Sequence, residues 1–163
     1  MCILLSAKIL VVGGDPKCSP ALEIIDLINT KLKSVNVLDL NGVRVGATGG
    51  ILQNQPIICG GYDRDGNITT NVSIMGMPNN GFEMMMPRSC MSSVVLNKSK
   101  MLVTGGISNN GNVEKSTKIV SLDQPPVPGP DLPFTVYGHS IFHGACGPNN
   151  NLPHRRLSKW SNI

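Results

Sequence analysis

A chain of 163 residues, 40% apolar and 15% charged, carries enough greasy material for one domain's core, which excludes global disorder. Its 18 glycines and 12 prolines suit many short strands joined by turns and argue against a helical bundle. The net charge of +4 is scattered, and the one basic cluster, His154, Arg155, Arg156 and Lys159, reads as a solvated tail; no nucleic acid and no membrane is expected as a partner.

Aromatic residues make up only 4% of the chain, so the core must rest on Ile, Leu, Val and Met. Residues 1–7 lack the basic start of a signal peptide and read as the end of a strand. No apolar run approaches bilayer thickness. Cys2, Cys18, Cys59, Cys90 and Cys146 show no paired or zinc-type spacing, which predicts free thiols and a cytoplasmic protein without metal or other cofactor. The sequons at Asn67, Asn71 and Asn97 are read as chance matches.

One phrase occurs three times: a short apolar run closed by a glycine pair, at Gly13 and Gly14, Gly60 and Gly61, and Gly105 and Gly106. The pairs stand 47 and then 45 residues apart, a spacing typical of propeller blades or helical repeats. A strand ending in Gly-Gly decides for the blade. In chain order, the first repeat has strands before residue 6 and over 8–12, a third at 22–27 with a helix over 20–28 as its rival, and a fourth at 35–40 from its period-two alternation. The second has strands at 47–52, 57–59, 71–75 and 82–86, with a loop over 62–70 holding the turn signal Asp65, Gly66, Asn67. The third has strands at 91–96, 101–104 and 117–122, a loop over 107–115, and a proline-rich stretch over 125–133. A fourth repeat starts with a strand at 136–142 and then decays. The boundaries are about 1–42, 43–86, 87–133 and 134–146, with a tail over 147–163. The expected fold is all-β: about three four-stranded antiparallel blades plus part of a fourth.

Glycine suits the repeated pair for two reasons. It allows φ > 0 where the strand ends, and it has no side chain where backbones crowd near an axis. The glycine pairs, the Pro87-Arg88 step upstream and the hydrophobic-Asp ends of the third strands (Ile25-Asp26, Leu122-Asp123) resemble the kelch repeat family. The resemblance covers about 1–146. The family's Tyr before that Asp is replaced by Ile25 and Leu122, and its fourth-strand Trp is absent, since the one Trp is Trp160. Three blades and a part fall short of the four to eight of a closed propeller. The chain is then a piece of a longer propeller, pairs with a second copy to close a ring, or stands alone. Bare blade faces predict self-association.

No catalytic residue is expected. The chain has no nucleophile elbow and no phosphate-binding loop. Asp63, Asp65 and Asn67 alternate like the start of a calcium loop, but Gly66 is misplaced for one and the closing Glu is missing. His139 and His143 lie near Cys146, but on a strand they sit about 13 Å apart. Met84, Met85 and Met86 are expected to pack in a strand, with a partner-binding patch as the alternative. The resemblance implies a non-catalytic module that presents loops to a protein partner, as ubiquitin-ligase substrate adaptors and cytoskeleton-binding proteins do. Candidate contacts are Asp15 and Lys17 in the first loop, Tyr62, Asp63, Arg64 and Asp65 in the second, and Asn109, Asn110 and Asn112 in the third. The family also contains copper oxidases, for which Tyr137, His139 and Cys146 would be the local ligands. A degenerate gene product without a role of its own is the remaining reading.

Overall fold

The structure, a computed structural model, describes residues 2–5, 8–12, 22–26, 31–34, 44–63, 65–75 and 81–142, with backbone pairing alone before residue 44 except at Ile9. Three four-stranded antiparallel sheets follow one another. The first comprises β1 (Cys2–Leu5), β2 (Lys8–Val12), β3 (Leu22–Asp26) and β4 (Lys31–Ser34). The second comprises β5 (Thr48–Leu52), β6 (Gln55–Cys59), β7 (Asn71–Ile74) and β8 (Phe82–Glu83). A short strand, β9 (Arg88–Ser89), precedes the third sheet. That sheet contains β10 (Ser92–Asn97), β11 (Lys100–Thr104), β13 (Thr117–Val120) and β14 (Val127–Pro128), while β12 (Ile107–Ser108) pairs with β9. Strands are paired in chain order within every sheet, and β1 and β10 both lie against β5.

The expected all-β blades are present, with differences at their edges. Leu22–Asp26 pairs with β2 as a strand and is not a helix. The first sheet takes its fourth strand from Lys31–Ser34, pairing Ile25 with Leu32; the expected strand at 35–40 lies outside the described residues, as do Gly13 and Gly14. The fourth strand of the second sheet stops at Glu83. Met84 turns into the core, and Met85 and Met86 are exposed, so the methionine run is not one packed strand. The proline-rich stretch holds the edge strand β14, where Pro128 has no ladder bond to lose on its outer side. Residues 134–142 form no strand, because no second strand among the described residues offers them a partner.

The second and third sheets repeat each other position by position. Arg44 matches Arg88 and Gly46 matches Cys90, 44 apart; Ile57 matches Leu102 and Gly60 matches Gly105, 45 apart; Gly81 matches Gly129, 48 apart, the spacing that also relates Cys90 to Gly138 in the segment after the third sheet. The first change in offset comes from a register shift between Val95 and Asn97. The core between the two sheets contains Leu52, Ile57, Cys59 and Val72 from one side and Met101, Val103 and Val120 from the other, closed by Met84 and Met91. The apolar runs of β6 and β11 are continuous because inner strands of stacked sheets are covered on both faces.

At the inner ends of the sheets, main chain meets main chain. Gly61 N–H donates to the Arg88 carbonyl at 2.8 Å, and Gly106 N–H donates to the Val136 carbonyl at 2.8 Å. A Cβ on Gly60 would run into that Arg88 oxygen, and one on Gly105 into the Val136 oxygen. Cys90 N–H donates to the Gly46 carbonyl (2.7 Å), and Gly138 N–H donates to the Cys90 carbonyl (2.9 Å). These three positions share a left-handed backbone, with φ of 67°, 54° and 60° at Gly46, Cys90 and Gly138. Cys90 adopts it despite its side chain, a conformation that costs a non-glycine residue about 1 to 3 kcal/mol.

Two arginines fix the lead-ins to the second and third sheets. Arg44 and Arg88 are 3% and 2% exposed. Arg44 donates to the Asn71 carbonyl (2.7 Å) and to Ser73 Oγ (2.6 Å). Arg88 donates to the Ser116 carbonyl (2.9 Å) and to Ser116 Oγ (2.6 Å). Burial lowers both guanidinium pKa values, an effect that Glu114 and Asp131 oppose at Arg88. Arginine nevertheless keeps its proton in proteins, and its planar fork spends that charge on several acceptors at once. Replacing Arg88 by Ala strands the Ser116 acceptors in the interior and should cost on the order of 3 kcal/mol. Urea unfolding measures this. Arg88→Lys should recover little, because an ammonium cannot fork; a loss below about 0.5 kcal/mol for Arg88→Ala would contradict the assignment.

Candidate functional site

The loops after the second strands of the second and third sheets are built on one turn. In the first of them, Asp63 N–H donates to the Asn67 carbonyl at 2.9 Å, and Gly66 N–H donates to the Asp63 carbonyl at 3.2 Å. In the second, Ser108 N–H donates to the Asn112 carbonyl at 3.0 Å, and Gly111 N–H donates to the Ser108 carbonyl at 2.9 Å. Gly66 and Gly111 have φ of 80° and 78°, the left-handed position that a turn of this kind assigns to glycine. Each turn is locked by its first side chain. Asp63 Oδ1 accepts from the amides of Asp65 and Asn67, and Ser108 Oγ donates toward Asn110 Oδ1 at 2.6 Å.

This sorts the candidate residues. Asp63 is spent on holding its turn, and Asn110 on bracing the turn from Ser108. Tyr62 is half-buried, and its backbone bridges Val45 and Ile68. Asp65, Asn109 and Asn112 are exposed at the tips. Both loops join a second strand to a third, so they leave the same end of their sheets. Asp15, Lys17 and Arg64 lie outside the described residues. The sequence reading missed Ser108 as the counterpart of Asp63; the signal was its place 45 residues on, three before a glycine in both loops.

The residues named for copper are not brought together in the described part. His139 turns Nε2 to the Thr104 hydroxyl at 2.7 Å, and Tyr137 is exposed. Cys146 and His143 lie outside the described residues. Among the described residues there is no cluster of three metal-ligating side chains and no helix long and apolar enough to cross a membrane. Of the thiols described, Cys59 is buried and Cys90 half-buried, and neither is in a disulfide. Loss of solvent pushes the Cys59 pKa up to about 12, against the pull of Arg44, so this thiol is inert as a nucleophile.

His139 sits where Met91 sits in the preceding repeat, 48 residues earlier. Its Nδ1 is buried without a hydrogen-bond partner, and desolvation lowers its pKa below 6.5. The unfolded chain therefore binds this proton more readily than the folded one. The stability held by the neutral ring is present above about pH 6.5 and falls as pH drops through that value toward the lower folded one. The thermal midpoint should drop between about pH 7.5 and 5.5, and His139→Asn should flatten the drop. An unchanged slope in the variant would contradict this role.

No family profile matches the chain, and no curated protein matches it. Among solved structures it is similar to YjhT, a kelch-repeat β-propeller protein, with a TM-score of 0.60 and 14% identity. The match covers 78% of this chain and 42% of YjhT, so the chain spans less than half of the propeller it resembles. The likeness shows the fold: four-stranded antiparallel sheets matching part of a kelch propeller.

Proposed function

We propose that this chain is a degenerate set of kelch repeats that acts as a non-catalytic, protein-binding module. Its blades run over about 1–42, 43–86 and 87–133, with the lead-in of a fourth from about 134. The observation that carries the proposal is the pair of matched turns at 63–67 and 108–112. Their frame is the same, and their tips differ: Asp65 gives one a negative charge, and Asn110 at the matching place gives the other none. A rigid frame with variable polar tips suits recognition of a protein surface. Roles of the family such as substrate recognition for a ubiquitin ligase or attachment to the cytoskeleton belong to this proposal, as does a reducing, cytoplasmic setting. The copper reading draws no support from His139, whose Nε2 already meets Thr104.

The test is a triple substitution, Asp65→Ala, Asn109→Ala and Asn112→Ala, which spares Asp63, Ser108 and both turn glycines. A partner isolated on the unaltered chain should bind the variant at least about tenfold more weakly, while the thermal midpoint stays within about 2 °C. Undiminished binding would sink the loop assignment.

A further inference from the structure

The outer face of the third sheet carries a row of aliphatic side chains in direct register. Val94 stands opposite Leu102, Leu102 opposite Ile119, and Ile119 opposite Val127. Directly opposite residues share a face. Along the paired strands that face continues with Ser92, Thr104 and Thr117, and its one charge among the described strand residues is Lys100, exposed at the start of β11.

The second sheet shows what such a face is for. Its matching positions are Gly50, Ile57 and Ile74, and all three are buried. They are covered by the near face of the third sheet. A Cβ on Gly50 would lie 2.8 Å from Val95 Cγ2 and 2.9 Å from Met101 Sδ, and Thr48 Oγ1 meets Ser93 Oγ at 2.7 Å. In the third sheet the same positions are uncovered to different degrees: Val94, Leu102 and Ile119 are half-buried, and Val127 is 39% exposed. Among the described residues, the chain after β14 bonds to this face at its polar end. There the Thr117 hydroxyl donates to the Pro130 carbonyl, and His139 reaches Thr104. That segment then adds Phe134, Tyr137 and Phe142 to the exposed apolar surface, Phe142 at 88%.

A matching row exists at the other end of the stack. In the first sheet Leu4 is opposite Ile9, Ile9 opposite Ile25, and Ile25 opposite Leu32. Ile9 holds the register place of Met101, the residue that fills the notch at Gly50, yet it is half-buried where Met101 is fully buried. The two rows therefore stand to each other as the two sides of the contact already made between the second and third sheets.

We propose that the Val94–Leu102–Ile119–Val127 row receives the Leu4–Ile9–Ile25–Leu32 row of a second copy of this chain. Head-to-tail contacts of this kind form a closed ring when the rotation allows. Two copies of the three described four-stranded sheets give six, within the four to eight blades of a propeller.

Light scattering on the full chain after size exclusion tests this. The unaltered chain should have twice the single-chain mass of 17.4 kDa. Leu102→Glu should leave single chains, and so should Val127→Lys, whose exposed edge position keeps folding out of the question; circular dichroism checks both. Ile9→Glu should also leave single chains, and mixing it with Leu102→Glu should restore a two-chain species, because each supplies the row that the other lacks. An unaltered chain that runs as a single copy would overturn the proposal. So would a dimer that survives Val127→Lys and Leu102→Glu, or one that survives Ile9→Glu, which would mean that third sheets pair with each other.

Discussion

Two backbones meet at the inner ends of these sheets with no side chain between them, and the rest of the molecule follows from that contact. Gly60 and Gly105 leave room for the carbonyls of Arg88 and Val136, and the glycine after each donates to the same oxygen. Once this spacing is set, successive sheets are close enough for Met101 and Val95 to fill the notch at Gly50. The aliphatic faces then bury each other. A side chain at either glycine would push the lead-in of the next sheet away and open the core behind it.

The same contact explains the division of labour along each repeat. The inner end is main chain, and its polar groups are satisfied by the next sheet's lead-in. The lead-ins at 44 and 88 are fixed by buried guanidinium groups. At the third of these places stands Val136, so that lead-in is held by backbone bonds to Gly106 and Glu114 and by the His139 contact with Thr104. The turns at 63–67 and 108–112 satisfy their own polar groups internally. Their tips can therefore vary without disturbing the stack, and that freedom is what a binding surface requires.

Much of this architecture was legible in the chain. The apolar runs ending in Gly-Gly announced the second strands because crowding near an axis tolerates only glycine. What stayed hidden has physical causes. β14 is two residues long and includes a proline, which an edge strand permits but no strand pattern signals. Lys31–Ser34 pairs on one side only in its sheet and carries two lysines, so no apolar run marks it. Cys90 gave no hint of its left-handed backbone, since side-chain type predicts that conformation well only for glycine and, less often, asparagine or aspartate. Arg88 was noticed as part of a Pro-Arg step, but its burial depends on acceptors 28 residues away that no local pattern reveals. Among the candidate contacts, Asp63 and Asp65 looked alike in sequence. Only the turn geometry separates the residue that holds the loop from the one at its tip.

Amide hydrogen exchange, followed residue by residue by NMR, reaches the inner contact most directly. The amides of Gly61, Cys90 and Gly106 leave their own sheets to bond the neighbouring lead-in, so they should exchange at least about 100-fold more slowly than those of Asp65 and Asn109 at the loop tips. Inner amides that exchange as fast as the tips would mean that the backbones do not meet there, and the stacked-blade account would fail.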